Sequence, residues 1–153
     1  MFVGTYEGQW DGEGHLKVPQ ELRPQLALEF VLTRGLGGCL WIYPLSQWRS
    51  LVEELHRLPF SRADARALGR FLFAEAQECQ LSENGYLFIP ESLRRYARLD
   101  GETLIVGLDS HLEIWDARLW RDLIPGIEEE AISIGERVSE QLLLSQPDGG
   151  RKR

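Results

Sequence analysis

Apolar positions recur at period 2 in two stretches of the chain, and at helical spacing between and after them. In "GHLKVP" (residues 14–19), Leu16 and Val18 fall on one face, with His15 and Lys17 on the other. "GYLFIP" (85–90) repeats this with Leu87 and Ile89 seventy-one residues later. The match extends from "VPQELR" (18–23) onto "IPESLR" (89–94), and from "LWIYPLSQWRSL" (40–51) onto "LEIWDARLWRDL" (112–123). Two copies of a unit of about 45 residues are therefore expected, each too small to hold a core alone. Paired as a pseudo-dimer, they share one.

Each copy reads alike. A short strand (Thr5–Trp10; Glu78–Leu81) meets a turn holding Gly14 or Gly85. A second strand follows and stops at Pro19 or Pro90, which open one or two helical turns, "PQELRPQL" and "PESLRRYA". Two more strands close the copy: Phe30–Thr33 and Cys39–Tyr43 around "GLGG", then Thr103–Gly107 and Leu112–Trp115 around "LDS". Between the copies, Trp48, Leu51, Val52, Leu55 and Leu58 predict a helix capped by Ser46 and ended by Pro59. A second helix begins at Ser61 and carries Ala65, Leu68, Phe71, Leu72 and Ala76. Pro125 is expected to start a last helix with a narrow stripe of Ile127, Ala131, Ile134, Val138 and Leu142. "SQPDGGRKR" reads as a flexible tail. The organisation expected is a first unit at 5–47, a helical connector at 48–75, a second unit at 76–119, a helical region at 120–144 and the tail at 145–153.

Composition narrows the function. The chain has 153 residues, 43% of them hydrophobic, enough for a core without disulfide or metal staples. Cys39 and Cys79 have no second thiol or histidine at ligand spacing, so no metal site is expected, and both read as small residues in a reducing compartment. No stretch reaches the length of a membrane span. "MFVGTYEGQW" lacks the charged and apolar regions of a signal peptide, so a cytoplasmic protein is expected. The net charge is −7, spread along the chain, with Arg151–Arg153 as its only basic block. Charge alone does not point to nucleic acid. No nucleophile, phosphate-loop or dinucleotide pattern occurs, so neither an enzyme nor a cofactor is expected. Trp10, Trp41, Trp48, Trp115 and Trp120 read as core or subunit-contact residues.

With these features in place, the chain resembles the MraZ family, two AbrB-like units in tandem. The resemblance rests on "MF-x-G" (1–4), "FVLTRGLGGCLWIYPLSQW" (30–48), "ECQ" (78–80), "GYLFIPESLRRYARL" (85–99), "LIVGL" (104–108) and "LEIWDARLW" (112–120), and covers about residues 1–124. It implies an α+β, mainly β fold: a swapped-hairpin β-barrel made by both units, assembled into homo-oligomeric rings. It further implies a nucleoid-associated regulator that binds double-stranded DNA at tandem repeats upstream of a cell-division and cell-wall gene cluster. No membrane and no small-molecule substrate is implied. DNA contacts are then expected from the 11–17 and 82–88 loops, through Asp11, His15, Lys17, Asn84 and Tyr86.

The family signature in each unit is Asp-x-x-x-Arg. Here Asp11 is followed by His15, and Ser82 by Tyr86, so neither copy keeps the arginine. Val3 and Glu13 also stand where the family often has a basic residue. Histidine and tyrosine can each donate a hydrogen bond, but neither replaces a guanidinium. Among the remaining cations, Lys17 is the best local DNA candidate, Arg34 begins the glycine turn, and Arg23 and Arg94 correspond across the repeat and read as structural ion pairs. The alternative reading is an oligomeric scaffold or co-regulator that keeps the fold without autonomous specific DNA binding.

Overall fold

Gly14 and Gly85 take φ of 88° and 81°, a left-handed conformation that lets each turn reverse within four residues. Each reversal starts a three-residue strand. In the computed structural model, which describes residues 1–59 and 61–145, these strands are β2 (His15–Lys17) and β6 (Tyr86–Phe88). They pair antiparallel with Leu16 opposite Leu87.

The remaining strands arrange around this ribbon. They are β1 (Thr5–Trp10), β3 (Phe30–Arg34), β4 (Leu40–Pro44), β5 (Gln77–Cys79), β7 (Thr103–Gly107) and β8 (Leu112–Asp116). One antiparallel sheet runs β5-β3-β4-β8-β7-β1-β2-β6. The first strand of each copy lies against the third strand of the other: Tyr6 opposite Ile105, and Val31 opposite Glu78. That exchange is the swap. The two outermost strands, β5 and β6, are joined through the turn at 82–85, where the Ser82 N–H donates to the Tyr86 carbonyl at 2.9 Å. The sheet thus curls into a nearly closed barrel.

The register locates a pseudo-twofold axis. Leu16 and Leu87 correspond across the repeat and pair with each other. Trp41 and Glu113 likewise correspond and pair across β4 and β8. At this second crossing the symmetry is broken chemically. The Glu113 carboxylate accepts from Trp41 Nε1 at 2.9 Å, Trp115 Nε1 at 3.0 Å and the Cys39 thiol at 3.3 Å. Burial, with Glu113 beside it, pushes the Cys39 thiol pKa well up, so it stays a neutral donor. Cys39 is buried, Cys79 half-buried, and both are free.

The inward positions of the period-2 strands make the core. Leu16, Val18, Phe30, Leu32, Leu40 and Ile42 meet Leu87, Ile89, Ile105, Leu112 and Ile114, all fully buried. The helical turns after the prolines, Gln20–Leu22 running into α1 (Arg23–Leu26), and α4 (Glu91–Tyr96), add Leu22, Leu26 and Leu93. A residue with positive φ follows each, Ala27 directly after α1 and Arg98 just past the Ala97 C-cap of α4. Ala27 has φ 59° and ψ −160°, a region that essentially only glycine visits without strain. Ala27→Gly is expected to stabilise the protein by about 1 kcal/mol, read as a Tm rise of roughly 2–4 °C. An unchanged or lower Tm would show that the strain is absent.

Two helix starts differ from the sequence reading. The connector's first helix, α2 (Leu45–Arg57), leaves β4 directly, with Pro44 at its N-cap and Ser46 inside the first turn. Strand pairing of Pro44 with Phe30 sets the boundary, whatever the capping preference of Ser46. For α3 (Arg62–Phe73), the Ser61 hydroxyl does accept from the Asp64 N–H at 3.1 Å. The last helix, α5 (Ala117–Ser145), starts eight residues before Pro125, which lies inside it. Asp116 caps this start by accepting the Arg118 N–H at 2.9 Å. A proline inside a helix removes one hydrogen bond, whereas a second helix would need a new costly nucleus. Beyond Arg118 the chain is a separate unit. There Ile127, Val138 and Leu142 of the expected stripe are exposed and Ile134 is half-buried. The tail from 146 onward, including the basic block, lies outside the described residues.

Candidate nucleic-acid interface

Because Leu16 and Leu87 point into the core, their neighbours point out. The outer face of the β2–β6 ribbon therefore carries His15, Lys17, Tyr86 and Phe88. His15 stands opposite Phe88, with ring centroids 5.3 Å apart. Lys17 stands opposite Tyr86, with Nζ 5.8 Å from the ring centre. The pseudo-twofold axis runs between these pairs. Since the strands are antiparallel, the 11–14 turn lies at one end of the ribbon and the 82–85 turn at the other.

Asp11 builds the first turn. Its Oδ1 accepts the N–H groups of Glu13 at 2.7 Å and His15 at 3.0 Å. Its Oδ2 lies 2.7 Å from His15 Nδ1, an ion-pair distance without the alignment of a hydrogen bond. Desolvation works to raise the Asp11 pKa, but the two N–H donors and the imidazole together outweigh it and hold the carboxyl below its ordinary value. The support it lends the turn is complete above the ordinary Asp range and is lost only as pH falls below it. Ser82 performs half of this task in the second copy, accepting the Tyr86 N–H at 3.0 Å. The Asp-to-Ser difference between the copies thus keeps the turn. Asn84 sits exposed at the tip of that second turn and borders a hollow of about 820 Å³ with Tyr6, Lys17, Glu83 and Tyr86.

Of the five residues expected to meet DNA, His15, Lys17 and Tyr86 share one outward face, while Asp11 and Asn84 occupy the two turns at its ends. Phe88 was missed. It is 50% exposed at the position that corresponds to Lys17. The signal was present in "GYLFIP", where the period-2 pattern puts two aromatics on the face that should be polar.

The arginines fall elsewhere than expected. Arg23 forms no ion pair among the described residues; its Nε donates to the Val18 carbonyl at 2.8 Å. Its guanidinium packs against Gly85, where a Cβ would stand 2.2 Å from Cζ. Arg94 does the same at Gly14, at 3.3 Å, and forms no ion pair either. Each copy's arginine therefore packs on the other copy's turn, while the need for glycine at both turns comes from the positive φ. Arg34 is turned away from this face. It donates to the Phe71 carbonyl at 2.9 Å and the Arg70 carbonyl at 3.3 Å, near the end of α3, with its guanidinium 4.7 Å from the Phe71 ring centre.

Among the described residues, no group of His, Cys, Asp and Glu could hold a metal ion, and no helix is long and apolar enough to cross a membrane. A family model described as "MraZ protein, putative antitoxin-like" matches residues 1–71 and again residues 72–140. Three curated relatives named Transcriptional regulator MraZ align along most of the chain. The Desulfitobacterium hafniense (strain Y51) protein is 43% identical over 138 residues, 90% of this chain and 96% of its own. That of Moorella thermoacetica is 39% identical over the same shares. The Pelotomaculum thermopropionicum protein is 41% identical over 143 residues, 94% of this chain and 96% of its own. The duplicated unit, the swapped barrel and these alignments together place the chain in the MraZ family.

Proposed function

We propose that this protein is a DNA-binding transcriptional regulator that reads duplex DNA with the β2–β6 ribbon. The observation that carries this reading is the outward face of His15, Lys17, Tyr86 and Phe88, halved by a pseudo-twofold axis and flanked by two matching turns. A two-stranded ribbon is narrow enough to enter the major groove. Within it, Lys17 offers a charge to a phosphate or a donor to guanine, and His15 and Tyr86 offer hydrogen bonds to base edges. Phe88 suits the methyl group of thymine. Asp11 and Ser82 hold the turns in shape, and Asn84 reaches from a turn tip.

The names of the relatives support a regulator, and the resemblance extends the proposal to tandem repeats upstream of a cell-division and cell-wall gene cluster. The site of action would be the cytoplasmic nucleoid. A ring of subunits would present one ribbon each, so weak single contacts would add by avidity.

The test is fluorescence anisotropy with the tandem repeats upstream of the protein's own gene and with a scrambled duplex, at two salt concentrations. Binding of the repeats at least tenfold tighter than of scrambled DNA is expected. Equal affinity would remove the claim of specific reading. The scaffold reading keeps two observations in its favour: both turns are acidic, at Glu13 and Glu83, and no guanidinium occupies either motif.

A further inference from the structure

The protein's cations are not shared evenly between the two ends of the ribbon. Beyond the 82–85 turn, Lys17 and Arg23 border the hollow with Glu7, Glu21 and Glu83, more carboxylates than cations. Beyond the 11–14 turn lies a groove of about 570 Å³ bordered by Arg94, Arg95, Arg98 and Arg118, with Glu91 and Asp100. Four guanidinium groups around one groove are unexpected in a chain of net charge −7. At the matching positions of the first copy stand Arg23, Pro24, Ala27 and Ser46, so the second copy alone has this cluster.

The groove continues the ribbon. Arg94 packs on Gly14 beside Phe88: a Cβ at position 14 would stand 3.3 Å from Arg94 Cζ and 3.3 Å from Phe88 Cε2. A smaller hollow bordered by Gly12, Gly14 and Arg94 shares Leu99 and Asp100 with the groove. The chain places Arg98 at a positive φ of 56°, just past the end of α4, and Arg118 in the first turn of α5.

The cluster is not consumed by internal pairing. Arg95 meets Glu91 at 2.9 Å and Arg118 meets Asp100 at 3.6 Å, but all four side chains are more than three-quarters exposed, where such pairs contribute little. Arg118 also lies 3.7 Å from the buried Asp116. Arg98 forms no ion pair among the described residues, and Arg94 Nε is buried without a hydrogen-bond partner.

The geometry points to this groove as a binding site for the phosphate backbone of double-stranded DNA, next to the bases met by the ribbon. The inference rests on the DNA-reading function proposed above and adds to it an asymmetric grip. Charge missing from the two motif positions is supplied at one end only, by arginines of the second copy. Because phosphates carry no sequence, the groove sets affinity and orientation and leaves base choice to the ribbon.

The experiment compares wild type, Arg98→Ala/Arg118→Ala and the charge-keeping Arg98→Lys/Arg118→Lys by anisotropy on a duplex of about 30 base pairs, across salt. Light scattering and thermal melts are run on each. Each phosphate contact changes log K by about 0.9 per decade of salt. The alanine pair is therefore expected to flatten the slope by about 2 and to weaken binding roughly 10- to 100-fold near 0.1 M salt, equally for repeat and scrambled DNA. The lysine pair should keep most of the slope. An alanine pair with wild-type affinity and slope overturns the groove while leaving the ribbon standing. If that variant instead loses mass in light scattering with its DNA affinity unchanged, the groove belongs to contacts between copies, and the proposal is overturned. A wild type that binds no duplex overturns both groove and function.

Discussion

Replacing His15 and Tyr86 together with arginine is expected to tighten binding to duplex DNA by about 100-fold near 0.1 M salt. A bidentate arginine–guanine contact contributes roughly 1–3 kcal/mol, and tenfold corresponds to about 1.4 kcal/mol, so two modest contacts give this factor. Both positions lie on the outward face of the ribbon, so neither substitution disturbs the core. The two are not equivalent. At position 15 a guanidinium would find Oδ2 of Asp11, which now faces the imidazole at 2.7 Å and would hold the new side chain in place. At position 86 the partner is Ser82, whose hydroxyl already accepts the Tyr86 N–H, so an arginine there has no carboxylate to orient it. His15→Arg should therefore account for more of the gain than Tyr86→Arg. If wild type binds weakly and the double variant binds well, the scaffold reading describes the natural protein. A double variant no tighter than wild type means that the ribbon is not the contact surface.

Leu16→Ala and Leu87→Ala should each lower stability by about 3 kcal/mol, measured by urea unfolding. Both side chains are fully buried, at 0% and 1% exposure, and they face each other where the two copies cross. Truncation loses the transfer energy of the removed atoms and leaves a cavity that a barrel pinned on both sides cannot fill. Because the two positions are direct partners, the double variant should depart from the sum of the singles by at least about 0.5 kcal/mol. Leu28→Ala, at a leucine 85% exposed, is the control and should change stability by less than about 0.5 kcal/mol. Losses under about 1 kcal/mol at both core positions would mean that the β2–β6 crossing does not hold the copies together.

The inward face of β2 and β6 was legible because period-2 alternation survives there: Leu16 with Val18, and Leu87 with Ile89, are buried as their spacing requires, whereas β3 and β7 bury four residues in a row and carry no such signal. The repeat announced a shared core. Which strand lies beside which could not be read from alternation, since β1 against β7 and β5 against β3 are long-range pairings with no local signature. Helix starts failed where a local preference competed with its surroundings, at Ser46 beside a paired Pro44 and at Pro125 downstream of the Asp116 cap. The candidate site was half legible. Its loops follow from the duplicated turn, and Lys17 and His15 follow from the strand face. The partners of the arginines were hidden. Arg94 is eighty residues from the Gly14 that it packs on, and only the swapped barrel brings them together.

The most direct test of the central claim is hydrogen exchange measured with and without the tandem-repeat duplex. The two turns contain amides exposed to solvent, so bound DNA should slow their exchange. Protection is predicted in peptides covering residues 11–18 and 82–89, with a further contribution around 91–98 if the arginine groove engages, and none in α2 and α3. DNA binding with protection confined to α2, α3 or α5, and both turns unchanged, would contradict it.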